Sequence, residues 1–442
     1  MTILAGLRDE LDGELFTPDS PGYEAVRRPA NRNYRDAQPR LVIRCGSAAD
    51  VALGIRYARD NGISIVPRGG GHCFAGRSST NGIVLDLTDL DSISVADNGF
   101  ATVGAGACLA QVYAGLHVRG RTLPAGCGAT VGIAGLTLGG GVGLLGRQYG
   151  LTCDRLVGAR VVLADGRIVE CDAQHEPELF WALRGAGGGQ FGVVTSLIFD
   201  TIPEPMTTRF ELRWSGAPVE TIVAAWQRWA PAAPDDVTAN LTIVAEPGEP
   251  LQAILFGASL REAAPTRTLL LDFCGVAGAS PAVDIRGGLT YHHLKKSFED
   301  LDPREELASG VRIRSEFFAR HMLPSTINAL LSTLSDTEAT ARRQITFTAL
   351  GGAYNRVPDT ATAFVHRREL FMLEHIAAEP SDWVDRSWQI AHIDGSGRVY
   401  PNFPDPLLED SAMAYHGSNF PRLAAAKKIY DPDRLFTFPQ CI

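Results

Sequence analysis

The chain has 442 residues, 45% of them hydrophobic and 21% charged, with a net charge of −9. A chain of this length buries a large core without disulfides or metals and suggests about two or three domains. The acidic balance and the lack of a long basic run set nucleic acid aside as a partner, and no stretch reaches the ~18 apolar residues of a membrane span.

Residues 1–15 carry Arg8, Asp9, Glu10, Asp12 and Glu14. They lack the basic, apolar, small-residue order of a signal peptide, so a short amphipathic helix and a cytoplasmic location are expected. Residues 41–45 form an apolar run that reads as a strand. Ser47 then caps a helix that stops at Asn61-Gly62. Residues 63–66 form a second strand, which enters Pro67-Arg68-Gly69-Gly70-Gly71-His72. Strand, helix, strand and glycine loop make a βαβ-like unit with a binding loop at its end.

Further strands are expected at 83–87 and 102–103. Residues 159–164 and 167–171 read as a hairpin closed by a two-residue turn at Asp165-Gly166. A helix at 179–183 ends at Arg184-Gly185, and a strand follows at 193–199. After Pro203-Glu204-Pro205 glycine thins out and helical patterns alternate with strand-like runs such as 210–214 and 240–244. This middle part, to about residue 395, reads as a second domain, with a short terminal segment after it.

The eight cysteines form no CxxC pair, which disfavours zinc ribbons and dithiol motifs. Most are expected to be reduced and buried, and no metal site is expected. The 46 glycines gather in three clusters: Gly69–Gly71, Gly139–Gly141 with Gly143, and Gly185 with Gly187–Gly189 and Gly192. Such runs cost backbone entropy and suit a chain that must approach a ligand closely. Their N–H groups form anion-binding nests that suit a dinucleotide pyrophosphate. A linker reading fits less well, because each cluster abuts apolar strand or helix signals. Two GxGxxG matches, at 141–146 and 187–192, follow a glycine loop and precede a strand respectively. Neither has the strand-to-helix setting of a Rossmann fingerprint, which argues against NAD.

Four stretches are identified together. Pro67-Arg-Gly-Gly-Gly-His-Cys-Phe-Ala-Gly76 resembles the FAD loop of the berberine-bridge-enzyme-like oxidases of the vanillyl-alcohol-oxidase and p-cresol-methylhydroxylase superfamily. Val131-Gly-Ile-Ala-Gly-Leu-Thr-Leu-Gly-Gly-Gly-Val-Gly143, with Tyr149-Gly-Leu-Thr-Cys-Asp154, is similar to the family's second motif. Arg184 to Thr195 resembles the third, where the family more often has Asn at Gln190. Tyr400-Pro-Asn402-Phe-Pro-Asp405, Tyr415-His-Gly-Ser-Asn419 and Tyr430-Asp-Pro432 resemble its closing segment. The motifs bracket nearly the whole chain in order.

The resemblance implies an α+β fold. A helical lead-in (1–35) would precede a two-subdomain FAD-binding domain of the p-cresol-methylhydroxylase type (36–205). A substrate domain with an antiparallel sheet covered by helices (206–395) would follow, then a C-terminal segment (396–442) that returns to the FAD domain. Cofactor contacts are expected from Arg68, Gly69, Gly70, Gly71, His72, Gly76, Cys127, Val131, Gly132, Gly135, Gly139, Gly140, Gly141, Gly143, Gly192, Val193, Val194, Tyr400 and Asn402. The resemblance also implies a covalent bond from His72 to the flavin 8α-methyl. Many relatives add a second bond, from a cysteine three residues before the motif's Val. Here that position is Gly128 and the cysteine is Cys127. Strict alignment therefore omits the second bond, and a one-residue loop adjustment would restore it.

Tyr400 is the expected proton acceptor, with an aromatic pocket wall as its plain alternative. Tyr291, His292, His293, Arg314, Glu316 and Tyr354 read as pocket or surface polar groups, and His366 as structural. Gly126 is expected to leave room for O2 beside the flavin. The reading is an FAD-linked oxidase of an alcohol, sugar or amine carbon of a small molecule, passing electrons to O2 to give H2O2. A dehydrogenase or oxidative cyclase, and a catalytically silent flavin-binding protein, are the alternatives. Substrate and oligomeric state are not readable.

Overall fold

In the computed structural model, residues 2–298, 310–336, 340–378 and 381–442 are described. The first sheet is built in the order Glu14–Phe16, Leu41–Arg44, Ile83–Asp86, Ile65–Arg68. Its last three strands are parallel, because helix Ala48–Asp60 carries the chain back between two of them. Ser47 Oγ accepts the Asp50 N–H at 3.3 Å and so starts that helix. Val42, Ile43, Val84 and Leu85 are fully buried, as strands covered on both faces require.

The N-terminal helix, Thr2–Glu10, is shorter than the sequence reading expects. The buried Asp50 carboxylate accepts the N–H groups of Asp12, Gly13 and Gly46 at 2.8–2.9 Å. That turns the chain out of the helix and lays Glu14–Phe16 antiparallel on the sheet edge.

The second sheet is antiparallel, in the order Ile93–Val95, Phe100–Gly104, Val193–Asp200, Leu156–Val162, Ile168–Cys171. Its hairpin is where expected, but the turn differs. Gly166 is left-handed at φ 84°, Asp165 is not, and the Leu163 carbonyl accepts the Gly166 N–H at 2.9 Å. A type I turn closed by a left-handed glycine replaces the two-residue form.

The third sheet holds seven antiparallel strands: Ala282–Thr290, Met206–Ser215, Gln252–Ser259, Val237–Ala245, Arg343–Ala349, Phe371–Ala378, Val311–Phe318. Helices Val219–Trp229, Ala263–Ala277, Pro324–Leu334 and Trp383–His392 cover one face, burying Trp226, Phe273, Phe347 and Phe371. Because side chains alternate along a strand, the register puts Ser315, Glu374, Thr346 and Thr242 in one row on the opposite face. That face turns toward the glycine clusters.

Two features tie this sheet to the rest. The buried Arg147 guanidinium donates to the carbonyls of Pro231, Ala233, Val237 and Leu350. The last segment, from Gly395, runs back past Phe317 and ends in helix Phe420–Tyr430. Its buried Lys427 donates to Gln190 O and pairs with Asp431 at 2.6 Å. No helix among the described residues is long and apolar enough to cross a membrane.

Candidate active site

The three glycine clusters, far apart in sequence, form one wall. A Cβ on Gly70 would overlap Gly132 N and come 2.6 Å from Thr130 O. Only glycine lets these two loops touch backbone to backbone. The Leu138 carbonyl accepts from Gly185 N at 3.1 Å and Gly187 N at 2.8 Å, which joins the second cluster to the third. At Gly189, an added Cβ would lie 3.6 Å from Pro67 and 3.8 Å from Phe438, back against the first loop. Gly135 is exposed, with nothing within 4 Å of its Cβ position.

His72 stands at this wall. Its Nε2 lies 2.9 Å from Thr130 Oγ1. Burial pulls its pKa down to about 4, against the raising effect of a hydrogen bond to the Thr130 backbone. The imidazole is therefore neutral across ordinary pH. Thr130 engages Nε2 and so holds the ring in place.

Tyr400 crosses from the terminal segment to the second cluster and is buried, 3% exposed. Three N–H donors converge on its hydroxyl: Gly141 N at 3.0 Å, Val142 N at 3.1 Å and Asn402 Nδ2 at 3.0 Å. Asn402 also donates to Leu136 O at 2.9 Å, and an added Cβ on Gly139 would overlap its Oδ1. Burial pushes the Tyr400 pKa up to about 12, while the three donors pull it down. Tyr400 N donates to Ser315 Oγ at 3.3 Å, so the row Ser315, Glu374, Thr346, Thr242 begins beside the tyrosine. Thr242 and Thr346 hydroxyls lie 3.0 Å apart, and Thr348 Oγ1 donates to Glu374 Oε1 at 3.3 Å.

Other expected residues serve the framework. Arg68 pairs with Asp86 at 3.0 Å and donates to the carbonyls of Val26 and Arg27. Its guanidinium is spent there, so only its backbone remains for a cofactor. Gly192 lies against Val162 O in the second sheet, and Val193 and Val194 are buried in that sheet's central strand. Gly76 packs on the Tyr34 ring and Gly143 on Ala125 O.

Several of the polar residues expected in the pocket or on the surface are buried and committed to partners. Tyr354 donates to Gly143 O at 2.7 Å and accepts Gly143 N–H at 3.1 Å. Arg314 pairs with Asp385 and Asp405, and Glu316 with His392 at 2.8 Å. Tyr291 packs edge-on against Tyr113. His292 and His293 gather with His117 beside Glu204. His366 is buried against Phe317, as a structural histidine would be. Gly126 does not leave open space on its Cβ side, where Leu136 Cδ1 would lie 2.9 Å away. Cys127 is exposed and meets Lys295 Nζ at 2.9 Å.

Comparisons with known proteins show the family. A family model described as FAD binding domain matches residues 39–172, and one described as berberine and berberine like matches residues 399–442. FAD-linked oxidoreductase YgaK of Bacillus subtilis is 31% identical over 98% of this chain and 98% of its own. The chain belongs to the berberine-bridge-enzyme-like FAD-linked oxidoreductases. Another relative is chitooligosaccharide oxidase of Gibberella zeae, 29% identical over 92% of this chain and 87% of its own. Among solved structures, Physcomitrella patens BBE-like 1 superposes with a TM-score of 0.89 at 26% identity, over 99% of this chain and 98% of that one.

The residues present fit the family's FAD. Arg77 Nε and Nη2 and Ser79 Oγ, in the loop after His72, are buried without hydrogen-bond partners among the described residues. The Arg77 guanidinium lies 4.8 Å over Phe438, beside the third glycine cluster. Buried donors left unpaired are costly, and a phosphate-bearing cofactor supplies acceptors for them.

Sequence reasoning missed Arg77, Ser79, Thr130, Lys295 and the polar row. The row had a signal: Thr242, Thr346 and Glu374 each interrupt a buried apolar strand at the position that alternation assigns to one face.

Proposed function

We propose that this FAD enzyme oxidises an alcohol, sugar or amine carbon of a small molecule, with the flavin bonded to His72 and O2 taking the electrons to give H2O2. When bound, FAD supplies the hydride acceptor. The observation that carries the reading is the Tyr400 oxygen, held by three N–H donors between the glycine wall and the polar row of the third sheet.

Tyr400 takes the hydroxyl or amine proton of the substrate as its carbon is oxidised. Asn402 orients that oxygen and ties it to Leu136. Thr242, Thr346 and Glu374 offer hydrogen bonds along the row, which suits a substrate rich in hydroxyl groups. The relationship to a chitooligosaccharide oxidase supports trying sugars first. His72 is a neutral nucleophile at the loop that meets Gly132, and Thr130 orients its ring.

A second reading is a dehydrogenase that passes electrons to an acceptor other than O2. Leu136 against Gly126 favours it, since that side of Gly126 has no free volume. Stopped-flow reduction by a panel of oligosaccharides, alcohols and amines, followed by peroxide assay in air, decides between them. Steady peroxide release supports the oxidase. Flavin bleached by substrate and not reoxidised in air contradicts it.

A further inference from the structure

Cys127 and Lys295 meet across the seam between the glycine wall and the third sheet. Cys127 is exposed in the turn Gly126-Cys127-Gly128, three residues before Thr130. Lys295 comes from helix Tyr291–Ser297 on the other side and is 2% exposed. Its Nζ donates to Cys127 Sγ at 2.9 Å. The same Nζ lies 5.7 Å from the centre of the Tyr113 ring. The Tyr113 hydroxyl donates to Gly126 O at 2.7 Å. Tyrosine and lysine thus fix the backbone and the sulfur of one turn.

An ammonium beside a sulfur favours the thiolate, the nucleophilic form. Exposed thiolates are the cysteines that peroxides oxidise. Five other cysteines lack this combination. Burial pushes the thiols of Cys45, Cys108, Cys153, Cys171 and Cys274 up. Cys441, half-buried, has Arg434 Nη2 at 3.2 Å; burial raises its thiol, but hydrogen bonds and Arg434 bring it below the ordinary value, so it is the demanding internal comparison for the more exposed Cys127. The sulfur of Cys127 is directed to Lys295, and Gly128 occupies the position that matches a second flavin attachment.

We propose that Cys127 is an oxidation site for hydrogen peroxide and that Lys295 is the residue that makes it one. The proposal rests on the peroxide-releasing reading above for its source of oxidant. The thiolate sulfur attacks one peroxide oxygen, an S–O bond forms and the O–O bond breaks. The departing hydroxide takes up a proton. In sum, thiol and H2O2 give sulfenic acid and water, with sulfur losing two electrons and peroxide gaining them. A thiol reductant returns the sulfenic acid to the thiol.

The test treats the holoenzyme with H2O2 and dimedone, a trap for sulfenic acids, and maps the label by peptide mass spectrometry. Cys127 is labelled ahead of Cys441 and the buried cysteines. Lys295→Met slows that labelling about tenfold or more, and Lys295→Arg restores it by keeping a cation there. Equal labelling of wild type and Lys295→Met overturns the proposal. So does a Cys127 peptide that carries the flavin in a His72→Ala chain. A separate arm labels during substrate turnover with and without catalase. If added peroxide labels Cys127 but turnover does not, the failure belongs to the peroxide-release reading and not to the reactivity of Cys127.

Discussion

Tyr400 shows how a single oxygen is tuned by opposing effects. Its ring is buried, which disfavours the phenolate, and three N–H groups point at its oxygen, which favours it. A neutral phenol has only two lone pairs to offer, so the third donor is better matched by the charged form. Burial still wins, and the group sits near 12. The rate of substrate oxidation should therefore rise with pH through the alkaline range, as the proton-accepting form grows. Tyr400→Phe should lower kcat by about a hundredfold to ten-thousandfold and abolish that alkaline rise, with the flavin still in place. A variant that keeps the wild-type profile would remove Tyr400 from the chemistry. His72 is simpler: burial alone keeps it neutral and reactive.

Among the elements, the glycine loops matter more than the strands that carry them. Gly70 and Gly132 touch through their backbones, so a methyl at Gly70 strikes Gly132 N and Thr130 O, neither of which can swing aside. Gly70→Ala should yield protein with little flavin, read from the ratio of flavin to protein absorbance. Flavin content equal to wild type would show that the loops part more easily than their contact suggests.

The strands, the Ser47 cap, the hairpin and the three clusters were legible because each is specified within a few residues. The contacts that make them a site were not. Leu138 O joins Gly185 and Gly187 over long separations, and Lys295 reaches Cys127 across 168 positions. Arg68 misled for the opposite reason. It adjoins the glycines in sequence, yet Asp86 on the neighbouring strand claims its charge. The threonines of the third sheet mark one face of their strands in the sequence, and the register adds that they share a row with Glu374.

At the scale of the molecule, the terminal segment and the third sheet close over the glycine wall, and buried charges hold the closure. Arg147 binds four carbonyls across the seam. Near the turn that leads to Tyr400, burial raises the Glu369 pKa to about 7, with Glu316 adding to it and Ser396 and Arg398 opposing it. Its Oε2 has no hydrogen-bond partner among the described residues. A carboxyl raised in the fold contributes stability that is full below its unfolded value and is lost as pH rises through the folded one. Stability should thus decline by on the order of 3 kcal/mol from about pH 4.5 to above pH 7 through this group alone. Glu369→Gln should flatten that decline in denaturant titrations run across the same range, and an unchanged slope would exclude Glu369 as its source.

The proposed function has the whole assembly fix one cofactor at His72. Acid denaturation followed by proteolysis and mass spectrometry tests this most directly. The account predicts that the flavin remains on the peptide containing His72 and that His72→Ala releases it. Flavin that washes away from the denatured wild-type chain would contradict it.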